Sequence, residues 1–274
     1  MTPKKTPQSL LTHPTTGEII AEEDFIAGLA KGLSILDCFS TERQKLTVTQ
    51  AAERAEISRT AARRYLRTLK YLGYLDSDDR FYWLTHKVLR LSGAYYNTAT
   101  LPKIARPILH ELSTKTRCCH SIVALDNAYV VTLASSYPTN MNQNRVLPYG
   151  IYTGNRIPAH SASNGKVLLA ALSQKELDDW LVRYPLTRFT RHTIVDKDLF
   201  RADIAKVARQ GWSLNYEEHE LGFGGLAVPI LNAEGKVVYG LNAVDYIANV
   251  NKESWQDFCL SQLQEAALYL RTLL

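Results

Sequence analysis

The chain has 274 residues, 46% hydrophobic and 22% charged, with a formal net charge of +5. That is an ordinary globular composition with material for a sizeable core, and length suggests one large domain or two. No run of about 18 apolar residues occurs and the polar start MTPKKTPQSLLTHPTTGEII has no apolar signal core, which argues against a membrane partner and for the cytoplasm.

Residues 1–22, rich in Thr, Pro and Lys, read as a flexible arm. Asp24 is an N-cap candidate for a first amphipathic helix, FIAGLAKGLSILDCF, with Ile26, Leu29, Leu33, Leu36 and Phe39 at helical spacing. A short second helix starts at Thr47, with Val48, Ala51, Ala52 and Ala55 inward; its alanines allow close approach. Ser58 then caps a third helix, RTAARRYLRTLKYL. In it Arg59, Arg63, Arg67 and Lys70 recur at steps of four, four and three, while Ala62, Tyr65, Leu66, Leu69 and Leu72 hold a different face. From Arg43 to Lys70 eight basic residues stand against two glutamates. Such an excess repels itself by a few tenths of a kcal/mol per pair, about 0.2–0.5, and a polyanion would relieve it.

Two helices joined by about three residues, the second basic, form a helix-turn-helix whose second helix enters the major groove of double-stranded operator DNA. The stretch LGYLDSDDRFYWLT reads as the hairpin wing, and residues 23–85 therefore as a winged helix-turn-helix. Ser58, Arg59, Thr60, Arg63 and Arg64 are the candidates for base and phosphate contacts, and Arg67 for a phosphate contact. Thr49 and Gln50, at the start of the second helix, are candidates to hold a phosphate, and Arg80 in the wing to approach the adjacent backbone.

Thr85 caps a further amphipathic helix, and residues 86–100 read as a linker helix packed on a partner surface, with Pro102 and Pro107 punctuating the chain beyond it. In residues 101–274 the expected strands are 120–125, 129–135, 145–149, 212–216, 225–230 and 237–244. The expected helices there are 103–116, 163–172, 174–183, 197–209 and 254–273. Hairpin signals at Asp126-Asn127 and between Asn232 and Gly235 favour an antiparallel α+β sheet.

Four segments, DFIAGLAKGLSILDCF, LTVTQAAERAEISRTAARRYLRTLKYLGYL, PAHSASNGKVLLAAL and EEHELGFGGLAVPI, occur in an order that resembles the IclR family of bacterial transcription regulators. The likeness is greatest to its aromatic-catabolism branch, which responds to 4-hydroxybenzoate or protocatechuate. The resemblance implies an α+β chain: an N-terminal winged helix-turn-helix, a linker helix, and a C-terminal GAF/PAS-like antiparallel-sheet domain that binds a small organic acid. It also implies a homodimer or tetramer and, for an activator as the branch favours, contact with RNA polymerase.

Ser161, Ser163 and Asn164 precede an apolar helix, and free backbone N–H groups at a helix start suit a carboxylate. The resemblance adds the positions of Asn215, Phe223 and Gly225, and His160 stands at the expected pocket rim. Phe223, Leu226 and Tyr152 are candidate apolar walls for an aromatic acid. Members of the hydroxybenzoate-responsive branch carry arginine where this chain has Ser135, so Arg145 or Arg156 is the expected substitute.

Competing motifs are weak. SNGK lacks the phosphate-loop spacing, GFGGLA is followed by a β-type run, and EEHELG, residues 217–222, reads as a structural turn without metal geometry. The cysteines, Cys38, Cys118, Cys119 and Cys259, have no zinc-site spacing and read as buried thiols, with Cys118 and Cys119 redox-sensitive only if exposed. No metal, cofactor or catalytic residue is expected. An enzyme acting on a small organic acid with an appended DNA-binding domain is the alternative, set back by the absence of a nucleophile paired with a base. A DNA-architectural protein without an effector is a third reading.

Overall fold

The computed structural model describes residues 10–12, 18–40, 43–138, 147–249 and 252–274, which divide into two compact units, 1–98 and 99–274. Within the first unit, two stretches of the expected arm pair as an antiparallel ladder, β1 (Leu10–Thr12) with β2 (Ile19–Ala21). Asp24 does not cap the first helix: it closes a 3-10 turn, Glu22–Asp24, and α1 runs Ala27–Leu36. The expected apolar stripe of α1 also splits. Leu36 and Phe39 pack on the core, whereas Ile26, Leu29 and Leu33 are 67%, 61% and 52% exposed.

α2 (Val48–Arg54) starts in a capping box, in which Thr47 Oγ1 accepts from Gln50 N while Gln50 Oε1 accepts from Thr47 N at 2.9 Å. The chain leaves α2 through Glu56 at φ 52°, and Ile57 N donates back to Ala52 O at 3.0 Å, which sets the sharp turn. Ser58 Oγ accepts from Ala61 N at 3.2 Å and opens α3 (Arg59–Tyr71). Ala51 and Ala52 of α2 meet Ala62, Leu66 and Leu69 of α3 in a small core that Ile35, Leu75 and Tyr82 complete; Leu72 lies outside it, 46% exposed. β3 (Leu75–Ser77) and β4 (Tyr82–Leu84) pair as the wing. Thr85 caps a 3-10 turn before the linker helix α4 (Leu89–Thr98), whose Leu89, Leu91 and Tyr95 are exposed.

The second unit is a six-stranded antiparallel sheet: β5 (Cys119–Asp126), β6 (Tyr129–Ser136), β7 (Arg156–Pro158), β8 (Ser213–Tyr216), β9 (Phe223–Leu231) and β10 (Val237–Tyr246). Their order is β7-β6-β5-β10-β9-β8. The strand expected at 145–149 is absent where the chain is described: residues 147–150 form coil and a turn, Arg145 lies outside the described residues, and the edge strand is β7 instead. Pro102 and Pro107 lie inside α5 (Thr100–Thr116), which begins three residues before the helix expected at 103–116. Pro102 is in the first turn, where the missing N–H has no helical partner to lose.

Period-two alternation gives the sheet two different faces. Ile122, Leu226, Val228, Ile230, Leu241 and Ala243 point to the core under α5 and α9 (Lys252–Leu273). Leu226 is therefore on that side rather than in a ligand wall. The opposite face of β9 and β10 carries Gly225, Ala227, Gly240 and Asn242, and these small residues admit α6 (Ser163–Leu169), all seven residues of which are buried. A Cβ on Gly240 would lie 2.9 Å from Asn164 O, and one on Gly165 only 2.2 Å from Ala159 O. α7 (Gln174–Arg183) and α8 (Lys197–Gln210) cover the rest of this side through Trp180, Leu181, Phe200 and Ile204. All four cysteines are buried free thiols. Among the described residues no helix is long and apolar enough to cross a membrane.

Candidate nucleic-acid interface and effector cavity

The basic face of α3 is intact in the fold. Arg59, Arg63, Arg64 and Arg67 are exposed, and none forms an ion pair with a described carboxylate. Arg59, Thr60, Arg63 and Arg67 line an open groove with Val48, Asp79 and Tyr82, so both helices and the wing meet along one cationic surface. Arg80 is exposed at the wing turn with its guanidinium 5.1 Å from the Phe81 ring centroid. Three polar groups near this surface are already engaged. Ser58 Oγ and Gln50 Oε1 serve the two helix caps, and Lys70 Nζ donates to Ser77 O at 3.1 Å, tying α3 to the wing. Thr49 is half-buried in the first turn of α2.

In the second unit a cavity of about 70 Å³ opens between the start of α6, strands β8 to β10 and the loop 217–222. Ser161, Ser163, Asn164, Asn215, Phe223 and Gly225, all expected from the sequence, line it. Asn215 Nδ2 donates to Ser161 O at 2.9 Å, which fixes the turn entering α6. A Cβ on Gly225 would lie 2.8 Å from Ser163 Oγ and 3.1 Å from Asn215 Oδ1, so the glycine keeps the cavity floor open.

Four other expected residues are elsewhere. Arg156 is not free to meet a carboxylate here: its Nη2 pairs with Asp126 Oδ2 at 3.1 Å and its guanidinium stacks over the Tyr129 ring at 4.5 Å. Tyr152 is 56% exposed, and neither it nor Ser135 on β6 is in the lining. His160 is buried one layer below, with Nε2 2.9 Å from Thr187 O and its ring 5.8 Å from Phe189.

Three of the residues that sequence reasoning missed come from the segment read as a structural turn. It does turn: Glu217 has φ 60°, Gly222 has φ 87°, and Gly222 N donates to Glu217 Oε1. Yet Glu218, His219 and Glu220 also face the cavity, with Tyr149, Ile157, Asn242 and Val244. His219 Nδ1 is 3.1 Å from Ser161 Oγ, and its ring packs between Tyr149 (5.4 Å) and Phe189 (5.0 Å). Burial first, and the neighbouring His160 second, push the His219 imidazole down to about 4, so it is neutral near pH 7.

Beneath the cavity Lys166, 1% exposed, reaches Glu218 Oε1 at 2.5 Å and Asp203 Oδ2 at 2.7 Å. Burial raises the Glu218 carboxyl above its ordinary value despite the lysine beside it. Two buried oxygens on the lining residues have no hydrogen-bond partner, Glu218 Oε2 and Asn164 Oδ1. The sequence signal for this arrangement was Lys166 itself, because a lysine in an otherwise buried apolar helix requires a carboxylate nearby. Among the described residues no group of His, Cys, Asp and Glu suits a metal ion.

Both units match family models. Residues 28–79 match the IclR helix-turn-helix domain, and residues 93–271 match the C-terminal domain of the bacterial transcriptional regulator IclR. The p-hydroxybenzoate hydroxylase transcriptional activator of Acinetobacter baylyi is 47% identical over 263 residues, covering 96% of this chain and 97% of that one. The Pca operon regulatory protein of the same organism is 43% identical, covering 100% and 99%. Among solved structures, the inducer-binding domain of a double mutant of the PobR transcription factor from Acinetobacter, complexed with 3-hydroxybenzoic acid, superposes with a TM-score of 0.61. It is 40% identical and covers 64% of this chain and 100% of that one. An IclR-family transcriptional regulator from Brucella abortus gives 0.77 at 21% identity, covering 92% and 94%, and speaks for the fold alone.

Proposed function

Because this chain belongs to the IclR family of bacterial transcriptional regulators, and is a regulator rather than an enzyme, we propose that it controls an operon for aromatic-acid breakdown by sensing a hydroxylated aromatic carboxylate. The observation that carries this reading is the cavity: polar groups at the start of α6 and in loop 217–222 converge against the apolar walls Ile157, Phe223 and Val244. That mixture suits a flat ring bearing polar substituents. The two Acinetobacter relatives regulate hydroxybenzoate hydroxylase and Pca genes by name, and the inducer-binding domain of similar fold holds 3-hydroxybenzoate.

The unpaired arginines of α3 and the wing arginine are the DNA contacts in this reading, Arg59, Arg63 and Arg64 near the bases and Arg67 and, from the wing, Arg80 on phosphates. Ser58 is reassigned: its hydroxyl caps α3 and its contribution is to place Arg59. Exposed Ile26 at the N-cap of α1 and Leu29 and Leu33 on it, with Leu89, Leu91 and Tyr95 on α4, are the surfaces for a homodimer or tetramer, since a monomer would leave this apolar area in water. The ligand acts through its differential affinity for two arrangements of the oligomer, and the direction is activation, through RNA polymerase, in the cytoplasm. The test is calorimetric titration of the full chain with 4-hydroxybenzoate and protocatechuate, with and without operator DNA selected from a random pool. Binding that operator DNA changes supports the proposal; no binding of either acid defeats it.

A further inference from the structure

We propose that Glu218 Oε2, with Asn164 Oδ1, accepts the hydroxyl hydrogen of the ligand, so that the cavity holds a phenolic acid with its hydroxyl end towards Glu218 and discriminates against the unsubstituted ring. The inference rests on the reading of this cavity as the effector site. Glu218 and Asn164 are 7% and 2% exposed and both line the cavity, and the two named oxygens make no hydrogen bond of ordinary geometry, although the Ile194 backbone N–H also acts on the Glu218 carboxyl. An acceptor buried without a donor is costly, and a ligand O–H removes that cost where a C–H does not.

Charge fixes which end of the ligand comes here. Lys166 serves both Glu218 Oε1 and Asp203 Oδ2, so one cation is shared by two carboxylates and the cluster is anionic when all three are charged. A ligand carboxylate beside Glu218 would add a third negative charge in a buried site, whereas a neutral hydroxyl supplies a proton to the oxygen that Lys166 leaves over. His219, next in the chain and also in the lining, contributes no positive charge near neutral pH to reverse this. The apolar part of the lining, Ile157, Phe223 and Val244, suits the ring.

The experiment is calorimetry on the full chain with 4-hydroxybenzoate, protocatechuate, benzoate and 4-methoxybenzoate, repeated on Glu218→Gln. Benzoate and the methoxy compound, which have no hydroxyl to donate, are expected to bind about 10- to 100-fold more weakly than the better hydroxybenzoate. In Glu218→Gln that ratio narrows to about threefold. Benzoate binding within about threefold of both hydroxybenzoates in the native chain overturns the inference, and needs no variant to fold. A folded Glu218→Gln that keeps the full ratio overturns it as well. If none of the four acids binds, the effector reading falls and this inference with it; equal binding of all four removes only this inference.

Discussion

Replacing Lys166 by Met removes the charge of a side chain that is 1% exposed while keeping its apolar stem, and it leaves Glu218, 8% exposed, without its cation. The Asp203 side chain is 26% exposed and can regain water, so Glu218 dominates the cost. Breaking a buried pair from one side typically costs about 3–5 kcal/mol. Protonation gives Glu218 an escape. Neutralising a carboxyl of ordinary pKa, about 4.3, at pH 7 costs about 1.4 kcal/mol for each of about 2.7 units, which caps its share near 4 kcal/mol. At pH 5 the same escape costs about 1 kcal/mol. Urea unfolding of native chain and Lys166→Met at both pH values, followed by tryptophan fluorescence, measures the difference, because Trp180, Trp212 and Trp255 all lie in the second unit. Because burial already raises the native Glu218 carboxyl, the expected loss lies below this cap of about 4 kcal/mol at pH 7, and it shrinks by more than half at pH 5. A loss below about 1 kcal/mol, or one equal at the two pH values, would refute the buried-pair account.

Arg67→Ala should lower the slope of log affinity for operator DNA against log salt by about one unit, measured by fluorescence anisotropy, and an unchanged slope removes Arg67 from the phosphate contacts. His120, buried between Thr116 Oγ1 and Asn242 O, and His219 are both depressed to about 4, chiefly by burial. Below an unfolded pKa of about 6.5 the unfolded chain binds protons that these folded imidazoles refuse, so stability is complete above about pH 6.5 and falls as pH drops towards 4. Between pH 7 and 5 each contributes a loss of about 2 kcal/mol; thermal melts that are flat over this range would contradict it. Gly225→Ala puts a methyl 2.8 Å from Ser163 Oγ, and calorimetry should show hydroxybenzoate affinity falling about tenfold or more in a variant whose far-UV circular dichroism matches the native chain.

The DNA-facing half of this fold was legible because its signals are local. Ser58 at the N-cap, basic residues at helical spacing and alanines on α2 each bear on their own turn of helix, and the structure returns them in place. The lining residues Ser161, Ser163, Asn164, Asn215, Phe223 and Gly225 were legible through family resemblance more than through spacing. What stayed hidden depends on contacts distant in sequence. Glu218 and His219 sit in a segment whose backbone is a genuine turn, and only the approach of that turn to the start of α6 gives their side chains a cavity to face. Arg156 looked like a free cation until the pairing of β7 with β6 set it beside Asp126 and Tyr129. The apolar stripe of α1 was visible as a pattern, but a pattern does not say whether its partner is the same chain.

In the proposed function one molecule couples a hydroxyaromatic acid in the second unit to operator DNA on α3. Measuring the affinity of 4-hydroxybenzoate and protocatechuate for the free protein and for the operator complex tests it most directly, because coupling between two sites must appear as a ratio of these constants. Saturable binding of at least one acid is expected, with affinities in the two states that differ by about fivefold or more. Saturable binding with identical affinities in the two states would contradict it.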